Sequence, residues 1–378
     1  MNLLRRLMAK AAEVGYQSYA KRFIYRFDAQ QSHTMLIEWL ESIENAHFWL
    51  QATSTAHSLL YPKIPTPVGG ITLDYPMMLA AGFVKGHGFA DESTAIQAVK
   101  AQQNIIPGWR IVPRLVGPVE FGSFTRYPRI GNTGRVMWRD RRHLSTQNRV
   151  GLKNPGAQAA ALFLSERKDQ LPSQFGINIA PSPGVDDERE SIQHVIEAMG
   201  VFIKRGVLPT WFTLNLSCPN TEDDPSGAQT ESSARNMCGY VMQFLNKNQV
   251  DVPLWVKISP KLAPEQYATL LKVFHELGIK AVIATNTLGM PSPEDETLTA
   301  GVGGAILHKE ATTALTLLRN ASIEHGYKVD LIGCGGLLNG DSYNSFKNLD
   351  VVAMQYWSAL IFRGPFAGAI ILSEYERL

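Results

Sequence analysis

Residues 211–220, WFTLNLSCPN, join a strongly β-prone run to two carboxamides and a thiol. Asn215 and Asn220 bracket Cys218 within six residues, where the run ends. Carboxamides both donate and accept hydrogen bonds, so a pair of them can bind a planar ring that carries alternating N–H and C=O groups. A cysteine with a lowered pKa can act there as a general base, whereas a lone buried cysteine is usually an inert packing residue. The bracketing amides favour the base.

Seven further apolar runs accompany this one and predict a parallel barrel. From residue 65 onward, short apolar runs alternate with longer stretches of helical periodicity, the pattern of βα units. We predict eight strands, at residues 77–81, 111–116, 175–179, 211–216, 254–258, 281–284, 330–332 and 351–355. Several lead into Gly, Asn, Ser, Cys or Lys, where an eight-stranded barrel gathers its active site. The predicted fold is an α/β protein, a (β/α)8 TIM barrel spanning residues 63–378.

The first 62 residues predict a helical extension without strands. One helix face carries apolar residues and the opposite face basic ones: Leu3, Leu4, Leu7, Met8 and Ala11 against Arg5, Arg6 and Lys10. A second apolar set follows His33: Met35, Leu36, Trp39, Leu40 and Ile43. Such a basic amphipathic helix can lie in the headgroup plane of a membrane. A helix docked on its own barrel explains the pattern equally well.

Composition excludes several classes of protein. The formal net charge is only +2 and charged residues make up 19% of the chain, so no strong field favours a nucleic-acid partner. Three cysteines, with no CxxC pair and no histidine at ligand spacing, argue for a reducing compartment and against a disulfide frame or a zinc site. No apolar run is long enough to span a membrane, and no secretion signal is evident.

Other predicted strand ends add amides, a buried cation and glycine loops. Asn148, Asn178 and Asn286 each lie at or near such an end, although single asparagines are often turn formers. Lys257 lies inside an apolar strand, where a charge is costly unless an anionic group meets it. The loops at residues 301–304 and 333–336 supply bare backbone N–H groups in the last two units, where a barrel commonly holds a phosphate.

In this order, the motifs resemble those of the dihydroorotate dehydrogenase family. They are Ala-Ala-Gly-x-x-Lys at 80–85, Asn-Arg-x-Gly at 148–151, Gly-Ile-Asn-Ile at 176–179, Asn-Leu-Ser-Cys-Pro-Asn at 215–220, Val-Lys-Ile at 256–258, Ala-Thr-Asn-Thr at 284–287 and the two glycine loops. The extension, with Arg26-Phe27-Asp28 leading to His33, is similar to that of the membrane-associated, quinone-using class 2 enzymes.

The resemblance implies an oxidoreductase that uses FMN to convert dihydroorotate to orotate in de novo pyrimidine biosynthesis, with a quinone as electron acceptor. It also implies a peripheral position on the cytoplasmic side of a membrane, a soluble cytoplasmic enzyme being the alternative. In the implied mechanism, Cys218 as thiolate takes the C5 proton of dihydroorotate, and the C6 hydride passes to N5 of FMN.

The site residues implied by the resemblance fall into two overlapping sets. The substrate set is Lys85, Asn148, Asn215, Asn220, Asn286 and Thr287. The FMN set is Ala81, Gly82, Lys85, Asn178, Asn215, Lys257, Thr285, Gly304, Gly336, Trp357 and Ser358.

Some positions depart from the family pattern. Class 2 enzymes carry Ser at the position of Cys218, and Cys is typical of the soluble class 1 enzymes. The family's strand-end Thr aligns with Pro118, and the position of a quinone-site arginine holds Asn132, for which Arg135, Arg139, Arg141 or Arg142 could compensate. Further departures are Val84, Leu152, Trp357 and the acidic loop 221–227.

These departures keep two other hypotheses open. One is a related flavoprotein dehydrogenase that acts on another dihydropyrimidine or cyclic amide, or that uses fumarate or another acceptor. The other is a flavin-containing barrel that serves only as a membrane-associated binding module.

Overall fold

Eight parallel strands close into a barrel in the computed structural model, which describes residues 3–216 and 230–378. The strands are β3 (Met77–Val84), β4 (Val119–Phe124), β7 (Phe175–Ile179), β8 (Trp211–Asn215), β9 (Leu254–Ile258), β10 (Ala281–Ala284), β13 (Asp330–Cys334) and β14 (Ala353–Tyr356). They follow one another around the barrel in chain order, and β14 pairs with β3 to close it. The predicted TIM barrel is confirmed.

The barrel strands are apolar on both faces because side chains fill the interior and helices cover the outside. The covering helices are α5 (Glu92–Lys100), α7 (Ala157–Ser165), α8 (Glu188–Lys204), α9 (Glu231–Lys247), α10 (Pro264–Glu276), α11 (Ala305–His325), α12 (Gly340–Lys347), α13 (Ser358–Arg363) and α14 (Ala367–Tyr375). Asp91 and Asp187 start α5 and α8 by accepting hydrogen bonds from the backbone N–H groups of Thr94 and Glu190.

The second predicted strand is wrong. Residues 112–116 form a short helix, α6 (Val112–Val116), with Pro113 in its first turn, where the missing N–H costs nothing. The barrel strand at this place is β4, six residues that are all buried. Its second residue, Glu120, interrupts the apolar pattern, and the interior tolerates this carboxylate only because three side chains donate hydrogen bonds to it.

Two small sheets cap the ends of the barrel. The hairpin β1 (Thr66–Val68) and β2 (Ile71–Leu73) closes the amino-terminal end, where the Trp255 indole donates to the Gly69 carbonyl at 3.0 Å. At the other end lies a four-stranded antiparallel sheet of β5 (Met137–Asp140), β6 (Ser145–Asn148), β11 (Leu288–Pro291) and β12 (Thr299–Gly304).

From residue 3 to residue 60 the amino-terminal extension consists of helices joined by short turns, and it packs on the barrel. It contains α1 (Leu3–Gly15), a π-helical turn (Tyr16–Ala20), α2 (Lys21–Ile24), α3 (Ala29–Ile43) and α4 (His47–Leu60), with a short 3-10 helix elsewhere at Lys168–Gln170. Asp28 caps α3 in a capping box with Gln31. Within the described ranges, no helix combines the length and apolar content that crossing a bilayer requires.

Two arginines of α1 are turned toward the protein, and the leucines of this helix face outward. Arg6 pairs with Glu376 at 3.1 Å, and Arg5 donates to the backbone carbonyl of Leu59 at 3.2 Å. Leu3, Leu4 and Leu7 are 74%, 64% and 60% exposed. The helix is therefore docked on its own barrel, and it still presents an apolar outer surface.

Two buried carboxylates fasten the extension. Glu13 of α1 pairs with Arg363, which also binds Glu374 and the Leu338 carbonyl. Glu44, at the end of α3, is fully buried. Its carboxylate accepts hydrogen bonds from one side chain and three backbone N–H groups of the loop before α6: Asn104, Gly108, Arg110 and Ile111.

We expect Glu44→Gln to loosen the extension, because the new amide NH2 would face N–H donors that now have an acceptor. The free energy of unfolding should fall by about 1–3 kcal/mol, the usual cost of an unsatisfied buried polar group. Urea denaturation measures this loss, and limited proteolysis should then cut α3 and α4 sooner.

Glu41→Gln is the matched control, since Glu41 is half-exposed and lies 3.6 Å from His87. An exposed pair of this kind contributes at most about 1 kcal/mol. Equal stability of the two variants would contradict a fastening role for Glu44.

Candidate active site

A cavity of about 930 Å³ runs from the carboxyl ends of the barrel strands into the amino-terminal helices. Polar strand-end residues line its barrel end. Mostly apolar residues line its helical end, including Ala12, Tyr16, Phe23, Leu36 and Trp39. This position agrees with the rule that barrels place their sites at the carboxyl ends of their strands.

A buried ammonium group lies at the barrel end of the cavity. Lys257 on β9 is 5% exposed, and its Nζ donates to Gln355 Oε1 at 3.0 Å and to Cys334 Sγ at 3.4 Å. Burial raises the pKa of the Cys334 thiol, and the charge of Lys257 partly opposes that rise. Among the described residues, no carboxylate lies within 4.0 Å of the ammonium nitrogen, so this charge suits an anionic ligand.

A chain of amides connects the ends of three strands. The amide of Asn215, the last residue of β8, donates to Ser123 Oγ at 3.4 Å. Its Oδ1 accepts from Asn286 Nδ2 at 3.1 Å, and Asn286 Oδ1 accepts from the Thr287 backbone N–H at 3.0 Å. Asn148 reaches the cavity from β6, where its amide approaches the Gly301 carbonyl at 3.5 Å. These amides form a polar wall that can orient a flat ring.

Asn178 provides a fourth amide with a defined direction. It is fully buried on β7, and its Nδ2 donates to Glu120 at 3.2 Å. Its Oδ1 is buried and has no hydrogen-bond partner among the described residues. A buried carbonyl oxygen without a donor is rare and indicates a place where a ligand supplies one.

The two glycine loops leave room for a ligand at the start of a long helix. Gly304, with φ of 89°, ends β12 directly before α11, and a Cβ there would lie 2.4 Å from the Leu144 carbonyl oxygen. Gly336, with φ of 69°, would place a Cβ 2.5 Å from the Cβ of His308. Only glycine fits these positions, and the positive end of the dipole of a 21-residue helix suits a phosphate.

Aromatic rings connect the barrel end to the helical end. Trp357 lies edge to face with Phe83, with ring centroids 6.2 Å apart, and Phe83 meets His33 of α3 in the same way at 6.1 Å. The neighbouring Ser358 hydroxyl lies 2.8 Å from the Thr146 hydroxyl.

Arg139 and His33 are two basic residues that line the cavity beside the amino-terminal helices. The Arg139 guanidinium lies over the Tyr25 ring at 4.0 Å and donates to the Phe27 carbonyl at 2.9 Å. Of the four arginines proposed to compensate for Asn132, Arg139 is the one that lines the cavity. Burial, together with the positive charges of Lys85 and Lys153, lowers the pKa of His33 to about 4.

The structure gathers all the predicted site residues that it describes on this cavity. They are Ala81, Gly82, Lys85, Asn148, Asn178, Asn215, Lys257, Thr285, Asn286, Thr287, Gly304, Gly336, Trp357 and Ser358. Cys218, Asn220 and the acidic loop 221–227 lie outside the described residues. The binding and catalytic roles of all these residues remain predictions.

Sequence reasoning missed several cavity residues. Pro118 precedes β4, and its carbonyl accepts from the Leu79 N–H at the barrel wall, so it is not a strand-end group. Near the carboxyl end of β4, it is Ser123 that brings a hydroxyl to the cavity, where the family pattern led us to expect a strand-end Thr. The Gly122-Ser123 pair was the available signal, but the misplaced second strand hid it. Gln355, the buried partner of Lys257, was also missed because a polar residue in an apolar run carries no distinctive pattern.

Comparison with known proteins agrees with this geometry. The family model for dihydroorotate dehydrogenase matches residues 64–378. The chain belongs to this family. The resemblance seen in the motifs is thereby confirmed, as is the expectation of an oxidoreductase.

Dihydroorotate dehydrogenase family members from several bacteria are similar over nearly their full length. A protein from Chromobacterium violaceum named dihydroorotate dehydrogenase (quinone) is 28% identical over 360 residues, covering 90% of this chain and 92% of the relative. One of the same name from Streptomyces avermitilis is 25% identical, covering 94% and 92%. A solved DHODH structure from Eimeria tenella, in complex with ferulenol, has the same fold. Its sequence is 21% identical, the match covers 93% of each chain, and the TM-score is 0.70.

We expect His33 to make the protein less stable as the pH falls. Its folded-state pKa of about 4 lies below the unfolded value of 6.5, so the unfolded chain binds more protons between these values. Stability should therefore be fully present above about pH 6.5 and decline as the pH falls toward 4. His33→Gln should remove about 1–3 kcal/mol of this decline.

Urea denaturation at a series of pH values measures this slope. His47→Gln, at an exposed histidine that begins α4, is the control and should keep the wild-type slope. An unchanged slope in the His33 variant would show that the imidazole is not held in its neutral form.

Proposed function

We propose that this protein oxidises dihydroorotate to orotate with bound FMN and passes the electrons to a quinone. The observation that carries the proposal is a continuous cavity, which joins a wall of amides and a buried lysine to an apolar passage through the amino-terminal helices. One end suits a polar ring and the other suits an apolar acceptor. The names of the bacterial relatives support the same reaction.

The residues at the barrel end fit FMN. The ring system would meet the unpartnered Asn178 oxygen, the Lys257 ammonium and the small residues Ala81 and Gly82, and the phosphate would meet the loops at Gly304 and Gly336. When bound, FMN supplies a two-electron acceptor that a quinone can reoxidise. Lys257 would stabilise negative charge on it, because a buried cation without a carboxylate partner favours an anion nearby.

The amide wall would hold the substrate. Asn215 and Asn286 are fixed to each other, so their side chains are held in one orientation for the ring amides of dihydroorotate. Lys85 lines the same wall and supplies a positive charge for the substrate carboxylate. Cys218, three residues beyond the end of β8, would take the C5 proton as a thiolate.

The helical end of the cavity would receive the quinone. Its lining is mainly aliphatic and aromatic, and Arg139 and His33 place N–H groups beside it. A neutral His33 can donate one hydrogen bond to a quinone oxygen without introducing a second charge next to Lys85.

The exposed leucines of α1 support a peripheral position on a membrane. Leu3, Leu4 and Leu7 project from the extension. Three further exposed aromatic residues lie on its other helices: Phe23 on α2, Trp39 on α3 and Phe48 on α4. A quinone that is dissolved in a bilayer would then reach the cavity without passing through water.

The proposal is tested by anaerobic titration of the purified protein. Dihydroorotate should bleach the oxidised flavin absorbance stoichiometrically, and a soluble quinone should then restore it faster than fumarate does. Flavin that stays oxidised with dihydroorotate but is reduced by another dihydropyrimidine would overturn the proposed substrate. Faster reoxidation by fumarate would overturn the proposed acceptor.

A further inference from the structure

Glu120 is a buried carboxylate that belongs to the barrel interior and does not line the cavity. All three of its side-chain hydrogen-bond donors are neutral. Trp211 Nε1 and Thr213 Oγ1 donate to Oε1 at 3.0 and 2.5 Å, and Asn178 Nδ2 donates to Oε2 at 3.2 Å. Within the described part of the chain, Glu120 makes no ion pair within 4.0 Å. Such a group is costly to bury, so its retention needs an explanation beyond packing.

The carboxylate decides which way the Asn178 amide points. An ionised carboxylate only accepts hydrogen bonds, so it must face the NH2 end of the amide. The carbonyl oxygen of Asn178 is then the end of the amide turned away from Glu120, and Asn178 is one of the residues that line the cavity. That oxygen is fully buried and has no partner among the described residues. Glu120 therefore gives the cavity wall an acceptor at this point.

We propose that Glu120 is a positioning residue that fixes the Asn178 carbonyl oxygen toward a ring N–H of the bound flavin. The inference rests on the proposed function for the identity of the ligand. The oxidised ring system of FMN carries one ring N–H, the imide N–H between two carbonyl groups. The Asn178 carbonyl oxygen can accept a hydrogen bond from this N–H. An amide NH2 in the same place would set one hydrogen-bond donor against another.

Glu120→Gln should reverse the polarity of the wall. The new side-chain oxygen would stay with its two donors, Trp211 and Thr213, and the new NH2 would face Asn178. The Asn178 amide must then rotate to accept this hydrogen bond, and it presents its own NH2 to the flavin. The measurement is the rate at which the diluted full-length holoprotein releases FMN, monitored by the fluorescence of free flavin. We expect this rate to rise roughly ten-fold or more, because a hydrogen bond becomes a donor–donor contact.

The double variant Glu120→Gln with Asn178→Asp should reverse this effect. The amide introduced at position 120 can donate to one carboxylate oxygen at position 178, while the other oxygen faces the cavity as an acceptor. The total charge is the same as in the wild type. The rate of FMN release should return to within about three-fold of the wild-type rate, because the hydrogen bond to the flavin N–H is restored.

Thr213→Val is the matched control. It removes a different donor from the same carboxylate and leaves the Asn178 hydrogen bond in place, so it should lower the thermal midpoint without accelerating FMN release. If the Glu120→Gln protein does not fold, the double variant tests the inference. It should retain FMN only if Glu120 acts by orienting the Asn178 amide.

Wild-type release rates in Glu120→Gln would overturn the inference, as would a double variant that releases FMN as fast as the single one. A wild-type protein that does not retain FMN would overturn both this inference and the proposed function. FMN retention that follows the predicted order, with no reduction by dihydroorotate, would support the inference and refute only the proposed substrate.

Discussion

The attachment of the amino-terminal helices to the open end of the barrel determines that the site is enclosed. It depends on two buried carboxylates, Glu13 with Arg363 and Glu44 with the loop before α6. Removing one partner of such a buried group typically costs about 3–5 kcal/mol when a charge is left unpaired. Because these contacts hold the extension over the strand ends, the polar site and the apolar passage form one cavity instead of an open groove and a loose helical arm.

The cavity changes character along its length, and the change follows from where each part of its lining originates. Strand ends of a parallel barrel expose backbone and polar side chains, so the Asn215 and Asn286 amides line the same end of the cavity as Lys257. Amphipathic helices contribute whole apolar faces, so the other end is lined by residues such as Phe23 and Trp39. The two substrates of one redox reaction would thus be separated by polarity as well as by distance.

The sequence predicted the barrel and the residues of its polar end because strand ends combine two local signals, an apolar run and an amide, glycine or lysine after it. It did not predict β4, since Glu120 breaks the apolar run and its hydrogen-bond donors come from strands far along the chain. It also left the orientation of α1 open. Arg6 faces the protein because Glu376, at the other end of the chain, binds it, and periodicity contains no information about such a partner.

In the proposed reaction, electrons leave through the helical end of the cavity. Gly15 lines this end in right-handed helical backbone, and a side chain there would project into open space. Gly15→Phe should therefore fold and narrow the passage, with Gly15→Ala as the control. In anaerobic stopped-flow experiments, we predict unchanged flavin reduction by dihydroorotate and slower reoxidation by a quinone in the Phe variant. Reoxidation of the Phe variant at the wild-type rate would contradict an exit of electrons through the helical end.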